Sequence, residues 1–121
     1  MATNPPTRSL DEDTQIEMGS VFADEPVPVG ATVTVLTGSE AGRFLFVTAA
    51  GGIFGRGEGA DYRLLEPGIS REHATIELHG NAFVIEDHDS ANGTYVDNVR
   101  VVETVTLPNS CRIRLGLRSI L

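Results

Sequence analysis

The 121-residue chain has no lysine, a single cysteine, and no apolar run approaching the ~18 residues that a membrane-spanning helix needs. Each absence excludes a class. Cys111 alone closes no intramolecular disulfide, and no Cys/His group has zinc-ligand spacing, so neither a disulfide framework nor a structural zinc site is expected. Residues Met1 to Asp13 contain no apolar segment of the secretory-signal kind. Positive charge is scarce as well: nine arginines stand against seventeen acidic residues, for a formal net charge of −8. That balance is wrong for a protein held by nucleic acid or by an anionic membrane. The expectation is a cytoplasmic protein with no nucleic-acid partner, no membrane partner, no metal and no cofactor.

What is present suits one domain. Hydrophobic residues make up 40% of the chain, enough for a core, while the length is too short for a two-domain enzyme. Charge is unevenly spread. From Met1 to Pro28 one basic residue, Arg8, faces Asp11, Glu12, Asp13, Glu17, Asp24 and Glu25, which places −5 of the −8 there. The same segment holds Pro5, Pro6, Pro26 and Pro28 and few bulky apolar residues, too little burial to offset the entropy of ordering. It reads as a flexible acidic tail, residues 1–28, ahead of a folded domain, residues 29–121.

Beyond Val29 short apolar, β-branched runs alternate with turn residues and show no sustained 3.6-residue period. The runs are Ala31 to Leu36, Arg43 to Thr48, Ile53 to Gly55, Tyr62 to Leu65, Ala74 to Leu78, Ala82 to Asp87, Thr94 to Val96, Val101 to Leu107, Arg112 to Leu115 and Arg118 to Leu121. Gly51-Gly52, Gly57 to Gly59, Gly80-Asn81, Asn92-Gly93 and Asp97-Asn98 separate them with turn chemistry. Strands near every tenth residue predict an all-β sandwich of two antiparallel sheets.

Four polar clusters fall between or ahead of these strands, where a sandwich carries its function. They are Gly55-Arg56-Gly57, then Ser70-Arg71-Glu72-His73, then Asp87 to Thr94, and the tail with Thr3, Thr7 and Thr14. A phosphothreonine side chain offers up to two negative charges and three acceptor oxygens, so a receptor needs a guanidinium, a second cation or hydroxyl, and little competing water. Arg56 and Arg71 supply the charges and Ser70 a hydroxyl. With no lysine in the chain, every strong cationic contact falls to arginine, whose planar fork suits phosphate oxygens. The glycines at 55 and 57 would let the backbone bring Arg56 close to a ligand. Asn92 has a donor and an acceptor for the backbone of an extended peptide. Blander readings compete at each position. Arg56 would serve as a surface residue in a glycine turn, Arg71 as a salt-bridge partner of Glu72, and Asn92-Gly93 as a tight turn with positive φ.

Taken in order, GR, SREH about fourteen residues on and SANGT about seventeen after that, the series resembles the motifs of the forkhead-associated (FHA) domain, a phosphothreonine-reading β-sandwich. The likeness runs from about Val29 to the end. It implies that Arg56 and Ser70 hold the phosphate, Arg71 assists, and Asn92 contacts the peptide backbone. It gives Gly55, His73 and Gly93 the support of the loops, His73 without touching the ligand. The implied partner is a phosphothreonine-containing peptide or protein, written by a Ser/Thr kinase, and the implied role is signalling without catalysis. A phosphate-independent docking domain of the same fold is the alternative.

Enzymatic readings fit less well. No lysine follows Gly55 to Gly59 as a P-loop demands, and no helix is predicted there for a dinucleotide site. Neither Ser70 nor Ser90 sits in a nucleophile elbow, and Asp87-His88-Asp89 are three neighbours on one bend that seldom all face one metal. Asn92-Gly93-Thr94 is formally a glycosylation sequon, without meaning in the absence of a secretory signal.

Thr14, in Asp11-Glu12-Asp13-Thr14-Gln15-Ile16-Glu17, is the first candidate phosphorylation site and Thr7 the second. Some bacterial FHA proteins bind a phosphorylated threonine of their own N-terminal extension, and the resemblance extends that expectation to this chain's tail, in cis or in trans. The close, IRLGLRSIL, resembles FHA modules that precede an effector, including GGDEF diguanylate cyclases of cyclic-di-GMP signalling. The chain is thus expected to be a fragment of a longer protein.

Overall fold

A computed structural model describes residues 14–22 and 28–116. Among them no helix occurs, and the strands are β1 (Thr14–Phe22), β2 (Pro28–Val35), β3 (Phe44–Thr48), β4 (Gly52–Gly55), β5 (Tyr62–Arg63), β6 (Ala74–His79), β7 (Ala82–Asp87), β8 (Thr94–Val96), β9 (Val99–Arg100), β10 (Thr104–Thr106) and β11 (Ser110–Leu115). Hydrogen bonding joins them into a six-stranded sheet, β3-β2-β1-β11-β8-β9, and a five-stranded sheet, β10-β7-β6-β4-β5. Pairing is antiparallel except between β4 and β5, which run parallel. The expected sandwich is found, with that one departure from an all-antiparallel reading.

Period-two alternation decides which side chains fill the space between the sheets. Ala31, Val33 and Val35 of β2, Cys111, Ile113 and Leu115 of β11, Ala74 and Ile76 of β6, and Phe83 and Ile85 of β7 are all buried, while Arg112 points to water. Phe54 stacks on Tyr62 with ring centroids 4.9 Å apart. Each large side chain withdrawn from water contributes about 1.5–3 kcal/mol. Cys111 belongs to this core. Its burial, with Asp97 nearby, pushes the thiol pKa up to about 11, so the group is a packed, protonated side chain.

The expected tail boundary is corrected. Residues 14–22 form β1 in the middle of the larger sheet, with antiparallel ladders to β2 on one side and β11 on the other. Ile16 and Met18 are buried, and so is Thr14 at 1% exposure, so Thr14 is not an exposed acceptor for a kinase. The cause is tertiary. Gln, Glu, Met and Gly favour strands weakly, but a lane paired on both sides over Ile16 to Gly19 ties up its backbone groups there and buries the inward set Thr14, Ile16 and Met18. Thr7, the remainder of the expected tail and the expected strand Arg118 to Leu121 lie outside the described residues. β9 was also not expected. It is closed by a turn in which Asp97 and Asn98 have φ of 47° and 71°, the positive pair of a two-residue hairpin.

Candidate functional site

Three loops converge at one end of the sandwich: the one after β4, the one before β6 and the one before β8. The first two are stitched by backbone bonds. The Arg56 amide donates to the Ser70 carbonyl at 2.9 Å and the Gly57 amide to the Arg71 carbonyl at 3.1 Å. A Cβ at Gly55 would run into the Arg71 carbonyl oxygen, so glycine is needed there for loop-to-loop contact. The reason is therefore packing, where ligand approach was expected.

Arg56 is exposed, and its Nε donates to the Ile69 carbonyl at 2.9 Å. That bond fixes the plane of the guanidinium, and the side chain makes no other hydrogen bond among the described residues. Arg71 is exposed alongside, and among the described residues neither arginine has an ion pair, including Arg71 with Glu72. The second and third loops are joined through side chains. The Ala91 amide donates to Ser70 Oγ at 3.0 Å, and Asn92 Nδ2 donates to the Gly68 carbonyl at 3.0 Å. Gly93 has φ of 89° and Asn92 has no positive φ, so the paired-positive turn does not account for the asparagine.

Beneath the rim lies a buried polar layer. His73 is fully buried; its Nδ1 accepts from the Ser70 amide at 3.0 Å and its Nε2 faces the Gly93 carbonyl at 2.8 Å. These partners require the neutral ring with its proton on Nε2. Burial lowers the His73 pKa, against the opposing pull of the Gly93 bond and the Asp87 charge. His73 thus holds Ser70 and Gly93 in place from below. Asp87, weighed from the sequence as a metal ligand, is a structural member of this layer. Its carboxylate accepts from Ser90 Oγ at 2.6 Å, the Ser90 amide at 3.1 Å and Thr94 Oγ1 at 2.6 Å. Burial alone would raise its pKa, but these hydrogen bonds outweigh it and hold the group below the ordinary carboxylate value. The aspartate-x-x-serine spacing is a turn signature that pointed to this role. With Asp87 aimed at Ser90 and Thr94, and His88 Nε2 at the Thr75 hydroxyl, the Asp-His-Asp run does not converge on one point.

The rim therefore brings Arg56, Ser70, Arg71 and Asn92 together on a frame made by Gly55, His73, Asp87 and Gly93. The FHA-domain family model matches residues 52–116, which include all of these positions. The chain belongs to the FHA family. It is thereby a non-catalytic binding module. Among curated relatives, the FHA domain-containing protein FhaA of Mycobacterium tuberculosis is 36% identical over 92 residues, 76% of this chain and 17% of that protein. The glycogen accumulation regulator GarA of Mycolicibacterium smegmatis is 36% identical over 103 residues, 81% of this chain and 62% of that protein. The chain thus spans less than two thirds of the length of either relative. Among solved structures, the FhaA FHA domain complexed with the intracellular domain of Rv3910 aligns with a TM-score of 0.54 at 25% identity, over 84% of this chain and 98% of that one. EmbR of Mycobacterium tuberculosis in complex with a low-affinity phosphopeptide aligns with a TM-score of 0.55 at 22% identity, over 88% of this chain and 26% of that one, a likeness of fold. No helix of the described residues is long and apolar enough to cross a membrane.

Proposed function

We propose that this FHA domain binds a phosphothreonine side chain in an extended peptide, with Arg56 and Ser70 on the phosphate, Arg71 assisting and Asn92 on the peptide backbone. The observation that carries the reading is the pairing of an anchored arginine with a serine whose acceptor side is engaged. Arg56 is tied to the carbonyl of Ile69 and by its amide to Ser70, while Ser70 Oγ accepts from Ala91 and keeps its proton for an incoming oxygen. Charge-assisted bonds of this kind contribute about 1.5–3 kcal/mol each. The solved complexes of FhaA and EmbR named above support a peptide or protein partner.

A Ser/Thr kinase writes the mark, which suits a cytoplasmic setting. The chain's own N-terminal segment remains a ligand through Thr7, since Thr14 is built into β1. β1 starts at the rim end of its sheet, where Thr14 pairs with Leu115 and the Gly116 amide bonds the Gly93 carbonyl. Seven residues span up to ~24 Å when extended, and a tether of that length gives an effective concentration on the order of mM. Occupancy of the rim in turn regulates an effector domain, such as a diguanylate cyclase in cyclic-di-GMP signalling.

Calorimetric titration of a phosphothreonine peptide and its unphosphorylated twin tests the core of this. The phosphorylated form should bind at least ~10-fold tighter, the ratio expected from one charge-assisted bond. Equal affinity would replace the reading by phosphate-independent docking.

A further inference from the structure

Among the described residues the two sheets end in four edges, and the edges are unequal. β9 and β5 are two residues long and carry Arg100 and Arg63; β10 has three residues and lies between Glu103 and Pro108. Short length, charge and nearby proline are the devices that keep edges from pairing with other chains. β3 is the least guarded of the four, since its one neighbouring charge, Arg43, is already paired with Glu40 at 3.0 Å. It is five residues long, Phe-Leu-Phe-Val-Thr, without charge or proline, and its register with β2 runs unbroken from Thr34 opposite Phe44 to Gly30 opposite Thr48. Phe44 and Phe46 on its outer side are 67% and 46% exposed.

The side of β3 away from β2, with which no described strand pairs, also presents ordered backbone. The Val35 amide donates to the Arg43 carbonyl, which sets the alternation along the pair. Leu45 and Val47, opposite Val33 and Ala31, point their polar groups to β2. Phe44 and Phe46 direct theirs outward, and so does the Thr48 amide. We propose that β3 pairs antiparallel with β3 of a second copy, about a two-fold axis at Phe46, and joins two six-stranded sheets into one. In this register Phe46 faces its own counterpart and Phe44 faces Thr48. Leu45 faces Val47 and Arg43 faces Ala49, so no like charges oppose across the junction. A two-fold contact closes on itself and leaves no further β3 edge to propagate. β3 starts at the rim end of its sheet, so the antiparallel pair sends the two rims in opposite directions. The dimer is a bivalent module that links two separate partners. None of this depends on whether the rim takes phosphate.

Sedimentation equilibrium over a concentration series, with amide exchange followed by NMR, tests the proposal on the whole 121-residue chain. The expected result is a monomer–dimer equilibrium that tightens with added salt, because copies of charge −8 repel. The amides of Phe44, Phe46 and Thr48 should slow in exchange as concentration rises, while those of Leu45 and Val47 are protected throughout. Phe46→Lys places a charge on the edge, and Thr48→Pro removes an outward donor at a position where an edge tolerates proline. Each should weaken dimerisation at least ~10-fold, a loss of about 1.4 kcal/mol, with core amides unchanged as proof of folding. A monomer at every concentration overturns the proposal. So does assembly that grows beyond a dimer, or a dimer in which β3 exchange does not change, since each assigns the contact to another surface.

Discussion

The Ala91 amide donates to the Ser70 hydroxyl oxygen at 3.0 Å, joining two loops 21 residues apart in sequence. The bond separates two jobs of one side chain. Ala91 is exposed, so in Ser70→Ala its amide turns to water and the cost in stability should stay below ~1 kcal/mol. Phosphopeptide affinity loses a charge-assisted donor and should fall by about 1.5–3 kcal/mol. Urea unfolding and calorimetric titration of the same preparation check both numbers. A large stability loss would show that Ser70 acts mainly as loop structure.

Arg56 offers a test in which charge is kept. Its Nε bond to the Ile69 carbonyl depends on guanidinium geometry, which lysine lacks. Arg56→Lys should therefore lose most of the affinity lost by Arg56→Ala, about 1.5–3 kcal/mol. Arg71 has no such anchoring bond among the described residues, so Arg71→Lys should cost under ~1 kcal/mol, as for an unanchored surface charge. Titrations of the four variants Arg56→Lys, Arg56→Ala, Arg71→Lys and Arg71→Ala with one phosphothreonine peptide give the comparison. Equal tolerance of lysine at both positions would contradict it.

The buried layer predicts acid sensitivity in two stages. His73 has a folded pKa below its ordinary 6.5, so below pH 6.5 the unfolded chain takes up a proton that the folded chain refuses. Its contribution is complete above pH 6.5 and is lost as pH falls toward the depressed folded value. Asp87 is held below its ordinary 3.8, so the stability from its Ser90 and Thr94 bonds persists until pH falls below 3.8 and is lost below that. Urea midpoints of the peptide-free protein should decline first below pH 6.5 and again below pH 3.8. His73→Gln should flatten the first stage alone. Peptide-free conditions matter because a phosphate ester itself titrates near pH ~6.

Much of this was legible in the chain because glycine and polar residues interrupt clear period-two runs. β8, Thr94 to Val96, and β7, Ala82 to Asp87, fall where alternation and turn residues predict them. The rim was legible for a related reason. Arg56, Ser70 and Asn92 are polar residues between apolar strands, where the core has no use for them. Two features were not legible. β1 has a strand's alternation only at Thr14, Ile16 and Met18, and its pairing depends on β2 and on β11, which lies some ninety residues away in sequence. The bond between Asn92 and Gly68 spans 24 residues, and nothing local to either residue specifies it. Local pattern reports on the strand that carries it, whereas a lane between two strands exists only after they have met.

β1 yields the prediction that separates a docked strand from a tail most sharply. Were residues 14–22 a solvated leader, substitutions there would change stability by less than ~0.5 kcal/mol. In the structure Ile16 is buried between both sheets' core residues, so Ile16→Ala should cost about 2–5 kcal/mol. Thr14, at 1% exposure, has no room for a charge, and Thr14→Glu should cost at least ~2 kcal/mol through desolvation of the carboxylate. Thr106→Glu, at an exposed position on β10, should shift the same measurement by less than ~0.5 kcal/mol and so controls for added charge on an acidic chain. Urea unfolding followed by circular dichroism reads all three. If Thr14→Glu matched Thr106→Glu, β1 would be undocked in solution, Thr14 would be open to a kinase, and the central lane of the larger sheet would need another occupant.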